Sequence, residues 1–189
     1  DFIKHYETRV AEGPTVAGKA MFVCSNRNIA YDFYKIVKKL RPEWTEKKIC
    51  DDGVVLSEKD KKELKPMEKI KLVMTRNKDD EKDLFDMLGT KEDRKEFDRQ
   101  FKNPKSNFKI AIVVDMWLTG FDVPELDTIY IDKPIQQHTL IQTISRVNRV
   151  CEGKDKGLIV DYIGIKKNMN TALKKYTNFE SEEFEGVEQ

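Results

Sequence analysis

The sequence has few residues that could form disulfides or bind zinc. Its 189 residues include only two histidines and three cysteines, Cys24, Cys50 and Cys151. The cysteines lie far apart and form no Cys-x-x-Cys pair, which argues against a zinc site or a disulfide framework. We therefore expect no bound metal, and reduced thiols in a cytoplasmic protein.

Long apolar runs are also missing. The longest covers a handful of residues, whereas about 20 are needed to cross a bilayer. The first ten residues, DFIKHYETRV, lack the apolar core of a signal peptide. The sequence predicts no membrane association, and the lack of an initiator Met suggests a piece of a longer protein.

No sign of charge dominates the chain. Lys and Arg total 35 and Asp and Glu total 34, so the net charge is +1 although 37% of residues are charged. Globular proteins average about 25% charged residues. A nucleic-acid-binding surface, if present, must therefore be a local patch.

Short apolar runs alternate with charged segments of helical period. Strands that are apolar on both sides, separated by helices, predict an α/β domain with a mainly parallel sheet and helices on both faces. Ligands of such sheets bind at the carboxyl ends of the strands. The predicted strands are KAMFV (19–23), IKLVM (70–74), FKIAIVV (108–114), LDTIYI (126–131) and GLIVDY (157–162).

Helices are predicted between these strands. Ser25 and Asn26 are candidate N-caps for a helix through IAYDFYKIVKKL. Further helices are predicted over 81–100 with a break near Gly89, over 139–150 and over 166–177. The apolar residues on one side of the first helix are Ile29, Phe33, Ile36, Val37 and Leu40.

The same pattern predicts the domain limits. Residues 1–18 read as a linker or N-terminal extension, and residues 19–178 as the folded domain. Residues 41–68 interrupt the alternation and are predicted to be a solvated, partly helical insertion. Residues 179–189 form an acidic tail that we expect to fray.

Polar and apolar residues lie on opposite sides of the helix predicted over 139–150. At about 100° per residue, Gln142, Arg146 and Arg149 fall within about 60° of one another. No acidic residue stands four positions from either arginine. The two guanidiniums either face solvent or bind an external anion such as a polyphosphate. The opposite side carries Leu140, Ile144, Val147 and Cys151.

A second polar cluster follows the strand that ends near Val114. The loop contains Thr119, Gly120, Asp122 and Pro124. A Gly followed two residues later by an Asp suits a tight loop that offers a carboxylate to a hydroxyl group. The alternative is an ordinary turn that Asp122 caps.

These two stretches resemble a known family. TGFDVP followed by QTISRVNR resembles motifs V and VI of superfamily 2 helicases. The whole block DMWLTGFDVPELDTIYIDKPIQQHTLIQTISRVNRV, with GLIVDYIG after it, resembles the motor (R) subunit of type I restriction enzymes. The resemblance is strong over 108–164 and looser over 19–107, where KAMFVCSNRNIAYDFY is similar to motif IV.

The resemblance implies that the chain is the second RecA-like domain, a three-layer α/β fold, of an ATP-driven DNA translocase. It implies that Arg149 is an arginine finger at the γ-phosphate and that Arg146 is a second phosphate contact. Gln142 would help to position this site. Gly120 would let the backbone approach the nucleotide, whose ribose Asp122 would contact.

The resemblance also implies ligands and partners. ATP with Mg²⁺ would be bound mainly by the first RecA-like domain, and double-stranded DNA would be held through its phosphates. Partners would be the upstream RecA-like and nuclease domains of the same subunit and the modification and specificity subunits. The implied DNA-binding residues are Ser25, Asn26, Arg27, Thr75 and Thr119.

The sequence lacks the rest of an ATPase. GPTVAGKA matches the phosphate loop G-x-x-x-x-G-K-[ST] up to Lys19, but Ala20 replaces the hydroxyl residue, and a strand follows where a helix should. The Glu-x-Lys triplets at 46–48 and 63–65 lie in the insertion, off any central strand, which argues against a nuclease site. The chain alone is expected to be inactive.

One alternative function remains open. A non-catalytic doubly wound module could bind a nucleotide or a protein through the same arginine face. Such a module would bind its ligand as an isolated chain, whereas a translocase lobe needs its other half to hydrolyse ATP.

Overall fold

The computed structural model describes residues 1–13, 17–118, 120–149, 151, 153–154 and 157–164. Within them lies a five-stranded sheet of order β2-β3-β1-β4-β5, and every pairing in it is parallel. All five predicted strands are present, so the prediction of an α/β domain with a parallel sheet is confirmed. The strands are β1 (Lys19–Cys24), β2 (Ile70–Val73), β3 (Ile110–Val113), β4 (Leu126–Asp132) and β5 (Leu158–Asp161).

The helices occupy the segments between the strands. The predicted break near Gly89 is confirmed, because this residue ends one helix with a φ of 64° that favours glycine. None of the helices in the described ranges is long and apolar enough to span a membrane. The predicted helix 166–177 and the acidic tail lie outside the described residues. The helices are α1 (Phe2–Ala11), α2 (Arg27–Leu40), a 3-10 helix (Pro42–Thr45), α3 (Glu58–Glu63), α4 (Lys82–Leu88), α5 (Lys91–Lys102) and α6 (Gln137–Val147).

The sheet separates two hydrophobic cores, because successive side chains of a strand point to opposite faces. In β1, Met21 and Val23 pack into one core with residues of α5 and α6. Phe22 and Cys24 pack into the other, with residues of α1, α2 and α4. Helices therefore cover both faces, which gives the three-layer arrangement expected of a parallel sheet.

The helix α1 occupies residues that the sequence analysis assigns to a linker or extension. Phe2 and Tyr6 are buried, and Phe2 contacts the rings of Phe22 and Tyr130 edge-on at 5.2 and 4.8 Å. This helix therefore forms part of the core next to β1 and β4. The sequence alone gave no sign of this, because only two of its residues are large aromatics aimed at the sheet. The outer limits of the domain, at 19 and 178, stay predictions.

The helix α2 presents a different face to the sheet from the one that its apolar stripe suggests. Val37 is buried, but Ile29, Ile36 and Leu40 are 41%, 58% and 55% exposed. The residues that α2 buries beside Val37 are Ala30 and Tyr34. Of this stripe, Ile36 and Leu40 border a groove of about 480 Å³ between α1 and α2. The apolar pattern of α2 therefore does not show by itself which of its residues the sheet covers.

Residues 41–68 are partly helical and largely exposed, as predicted, but they are anchored to the domain. Trp44, Leu64 and Met67 are buried, and Lys48 and Met67 form an isolated antiparallel bridge. The triplets at 46–48 and 63–65 lie outside the five strands. The structure thus places neither triplet where a nuclease site on the sheet would require it.

Candidate functional site

The residues predicted to contact a nucleotide meet at one place. Gly120 and Asp122, from the loop between β3 and β4, face Gln142 and Arg146 of α6 and Arg149 just beyond it. They line a cavity of about 230 Å³, together with Phe121 and Ser145. The cavity lies between this loop and the second half of α6, on the outer side of a helix whose other side packs on the sheet.

The loop on one side of the cavity is shaped by aromatic stacking. Trp117 lies directly on Phe121, with ring centroids 4.1 Å apart and ring planes within 3°. Trp117 also stacks on Phe101 of α5 at 5.3 Å. Its φ of 67° is unusual for a bulky residue, and backbone strain of this kind persists only where the surroundings hold it. The stacking of Trp117 on Phe101 and Phe121 therefore holds the loop that carries Gly120 and Asp122 against α5.

The other wall is α6, which is amphipathic as the sequence predicts. Leu140, Ile144 and Val147 are buried in the core, while Gln142 is exposed. The helix ends at Val147, earlier than the predicted residue 150. Arg149 is therefore beyond the helix, in a turn in which its N–H donates to the Arg146 carbonyl at 3.4 Å. Element ends are the least certain part of any reading of a sequence.

Arg149 has an acidic partner that the sequence analysis did not foresee. Its guanidinium Nη1 lies 2.5 Å from Oδ2 of Asp122, a residue 27 positions away. No acidic residue stands four positions from Arg149 along the chain, but the fold brings it one from the loop before β4. The two side chains are 52% and 54% exposed, and surface pairs of this kind contribute only about 0–1 kcal/mol. Such a weak pair can open for another anion.

Arg146 is more enclosed and less satisfied. Its Nε is buried with no hydrogen-bond partner, and burial lowers the pKa of its guanidinium although Asp122 acts to raise it. A buried donor without a partner carries an energetic cost that a ligand oxygen would remove. The φ of Gly120 is 69°, in the region that favours glycine, and its backbone is open, with no neighbouring atom within 4 Å of the position that a Cβ would occupy. The cavity thus combines cationic donors with close backbone access, which fits part of a polyphosphate nucleotide.

Four of the five predicted DNA-binding residues lie at the carboxyl edge of the sheet, and two of these, Arg27 and Thr75, line a separate cavity of about 250 Å³. Arg27 donates to the Thr75 carbonyl at 2.6 Å and pairs with both oxygens of Asp80 at 2.5 and 2.6 Å. Asn26 caps α2 by accepting from the Ile29 N–H. Ser25 donates to a carbonyl of β4, and Thr75 is exposed. Thr119 lies outside the described residues.

The Arg27–Asp80 pair changes what this edge can do. Burial acts to raise the pKa of Asp80, but hydrogen bonds from the Asn77 N–H and from Arg27 lower it below its ordinary value. Asp80 is thus an anion. Through its bonds to Asp80 and the Thr75 carbonyl, Arg27 holds the segment after β2 to the start of α2. A phosphate at this edge would compete with Asp80 and the Thr75 carbonyl for the Arg27 guanidinium.

Two further residues of the sites were missed. Ser145 lines the first cavity and donates to the Gln142 carbonyl; its position on the polar side of the helical wheel could have indicated this. Lys133, which follows β4, contacts Asp115 and donates to the Val114 carbonyl at 3.1 Å. Only the strand order, in which β1 lies between β3 and β4, brings Lys133 close to Asp115, so no local signal could have found it.

Known proteins match this chain over a range that includes the residues of both cavities. The family described as type I restriction enzyme subunit R domain 3 matches residues 17–164. The chain is 39% identical over 181 residues to the type I restriction enzyme HindI endonuclease subunit of Haemophilus influenzae. It is also 39% identical over 179 residues to the putative MjaIXP endonuclease subunit of Methanocaldococcus jannaschii. Each alignment covers 94% of this chain and 15% of the relative, so the chain spans a small part of their length.

A solved structure supports the fold. A fragment of a putative HsdR subunit of a type I restriction enzyme from Vibrio vulnificus YJ016 superposes with a TM-score of 0.54 at 14% identity. The match covers 89% of this chain and 27% of that one. With its central parallel sheet and helices on both faces, the fold is RecA-like.

Proposed function

The chain belongs to the family of domain 3 of type I restriction enzyme R subunits, and from this premise we propose that it is the second RecA-like lobe of an ATP-driven DNA translocase. Its role is to supply half of an ATP site that lies between two lobes. The observation that carries this proposal is the convergence of Gly120, Asp122, Gln142, Arg146 and Arg149 around one cavity. Two of these come from one loop, two from α6 and one from the turn that follows it, so local sequence proximity does not explain their meeting.

Each residue has a chemical task in this proposal. Arg149 exchanges its pairing with Asp122 for the γ-phosphate, where its charge stabilises the transition state of phosphoryl transfer. Arg146, with its unsatisfied Nε, binds a second phosphate oxygen. Asp122, once released, accepts a hydrogen bond from the ribose, and Gln142 helps to orient the site.

The remaining parts of the ATP site come from elsewhere. ATP supplies the phosphoryl group, and Mg²⁺ bound with it neutralises phosphate charge. The phosphate loop and the acidic residues for Mg²⁺ belong to the preceding RecA-like lobe of the subunit. No cluster of three or more potential metal ligands occurs among the residues that the structure describes.

The carboxyl edge of the sheet is the proposed track for double-stranded DNA. Ser25, Asn26, Thr75 and Thr119 contact phosphates there without reading base sequence, while Arg27 orders the surface through Asp80. The proposed partners are the preceding RecA-like and nuclease domains of the same subunit and the modification and specificity subunits of the complex.

The 189-residue chain, purified alone, should show no ATP turnover, because half of the site is absent. Turnover by the parent subunit and by the chain alone can be compared with a coupled phosphate-release assay in the presence of DNA. Turnover by the chain alone at a rate comparable to the subunit's would contradict the divided site.

Ligand binding by the same purified chain distinguishes the translocase lobe from the alternative, a non-catalytic binding module. A non-catalytic binding module would bind ATP or a protein measurably as an isolated chain, and Arg146→Ala would remove that binding. Calorimetric titration of the chain with ATP distinguishes the two cases: tight binding that depends on Arg146, with no role for the chain in turnover by the subunit, would favour the module.

A further inference from the structure

A buried lysine lies behind the nucleotide cavity. The Lys154 side chain belongs to a residue only 1% exposed. Its Nζ donates to the Pro124 carbonyl at 2.8 Å and to the Arg149 carbonyl at 2.9 Å. The backbone groups of Lys154 and Cys151 also bond to each other at 3.2 and 2.9 Å, which fixes the turn that carries the lysine.

The two carbonyls belong to the opposite walls of the cavity. Pro124 stands two residues after Asp122 in the loop, and Arg149 is itself the predicted phosphate contact. One amine therefore joins the loop to the end of α6. The Asp122–Arg149 pair also joins the two walls, but it is half exposed and has to open for a nucleotide. The Lys154 bridge remains when that pair is broken.

Burial of a lysine amine costs free energy, because the charged group loses its contact with water. Burial disfavours its charged form and lowers its pKa, while Cys151, Asp127 and Glu125 act to raise it. An apolar residue of similar length would fill the volume without this cost. What an apolar residue cannot do is donate two hydrogen bonds at once. The lysine therefore contributes a fixed distance between the Pro124 and Arg149 carbonyls, which its amine holds together.

We propose that Lys154 is a positioning residue that holds the backbone of Arg149 at a fixed distance from the loop bearing Asp122, so that the Arg149 guanidinium reaches the γ-phosphate. This inference rests on the proposed function of the cavity. It adds a residue that touches neither nucleotide nor DNA and acts through Arg149. Misplacement of a catalytic group by about 1 Å can lower a rate by about 10²-fold.

The test uses the full parent subunit and compares Lys154→Met with Lys109→Met. Lys109 is the control, because it is also buried and donates to a backbone carbonyl, that of Pro104, at 2.9 Å. It also pairs with Asp51 at 3.2 Å, so its replacement should destabilise the fold at least as much as that of Lys154. It lines a different cavity from the one that holds Arg149. Both variants leave buried backbone carbonyls without their donor, so both should lower the melting temperature.

Only Lys154→Met should change the chemistry. We expect a fall in kcat for DNA-dependent ATP hydrolysis of about 10²-fold, with KM for ATP changed by less than about threefold, since ground-state binding is mostly supplied by the other lobe. Lys109→Met should retain kcat. Lys154→Gln keeps a polar donor on a side chain one atom shorter, so it should fold and show an intermediate kcat; it decides the question if Lys154→Met does not fold.

Three results would overturn the inference: an unchanged kcat in Lys154→Gln or Lys154→Met, an equal loss of kcat in Lys109→Met, or a loss expressed wholly in KM. The proposed function fails in a different way. If Arg149→Ala leaves ATP hydrolysis unchanged, the cavity does not serve the reaction at all. A loss of kcat in Arg149→Ala with none in Lys154→Met rejects only the positioning role.

Discussion

Replacement of Arg149 by alanine in the parent subunit should lower the rate of ATP hydrolysis by about 10³–10⁵-fold, the range that an arginine finger contributes in phosphoryl transfer. Arg149 is more than half exposed and lies at the mouth of the cavity, so its loss leaves no gap in the core. Nucleotide binding should be largely retained, because the other lobe holds most of the ATP. Single-turnover hydrolysis and equilibrium binding of a fluorescent ATP analogue measure the two quantities separately.

Arg41→Ala is a matched control for this variant. Arg41 also pairs with a carboxylate, that of Glu7 at 2.6 and 2.9 Å, and is also partly exposed. It lies between α1 and α2, away from Asp122 and Arg146. Its replacement should leave hydrolysis unchanged. Normal turnover in Arg149→Ala, or an equal loss in Arg41→Ala, would remove the arginine-finger assignment.

The second large effect is on stability, at the contact between α1 and β4. Arg9 forms a two-point ion pair with Asp127, with Nε–Oδ2 and Nη2–Oδ1 distances of 2.6 and 2.9 Å. The Asp127 side chain is only 1% exposed. Arg9→Ala would leave this carboxylate buried without its counter-charge, which typically costs about 3–5 kcal/mol. Urea unfolding of the variant should show a free energy of unfolding lower by that amount.

Two further variants test the cause of that loss. Adding Asp127→Asn to Arg9→Ala removes the stranded charge and should restore part of the stability. Arg41→Ala removes a similar two-point pair at an exposed position and should have a far smaller effect than Arg9→Ala. If Arg9→Ala unfolds like the parent chain, α1 does not depend on this pair.

The strands could be predicted from sequence because burial on both faces leaves a continuous apolar run such as FKIAIVV. The sequence did not allow a prediction of which side of α2 faces the sheet. Ile36 and Leu40 are as apolar as any core residue, yet Ala30 and Tyr34 are the ones buried. The packing of α1 could not be predicted either, because it contributes Phe2 and Tyr6 to the core, with Ile3 packed against it, and this set carries no strong periodic signal.

The candidate site divides in the same way. The amphipathic pattern of α6 indicated a polar face with Gln142 and Arg146, and family resemblance linked it to Gly120 and Asp122. Asp122 pairs with Arg149, and Lys154 bridges Pro124 and Arg149. These contacts join residues that are distant along the chain or, for Arg149 and Lys154, residues that no helix or strand pattern brings together. Such contacts are properties of the fold, and local pattern cannot show them. The chemical roles of all these residues stay predictions until they are tested.

The order of the strands bears on how the chain reaches this structure as it is synthesised. The strand β1 is made first but lies in the middle of the sheet, where Ala20 pairs with both Ile110 and Thr128. Translation at about 5–20 residues per second leaves this apolar strand without either neighbour for several seconds or longer. Contacts so distant along the chain also slow folding, because a long loop must close before they form. The helices α1 and α2, which flank β1 in the chain and pack on it in the folded domain, are the first elements able to shield it, so the short first helix would also serve during synthesis.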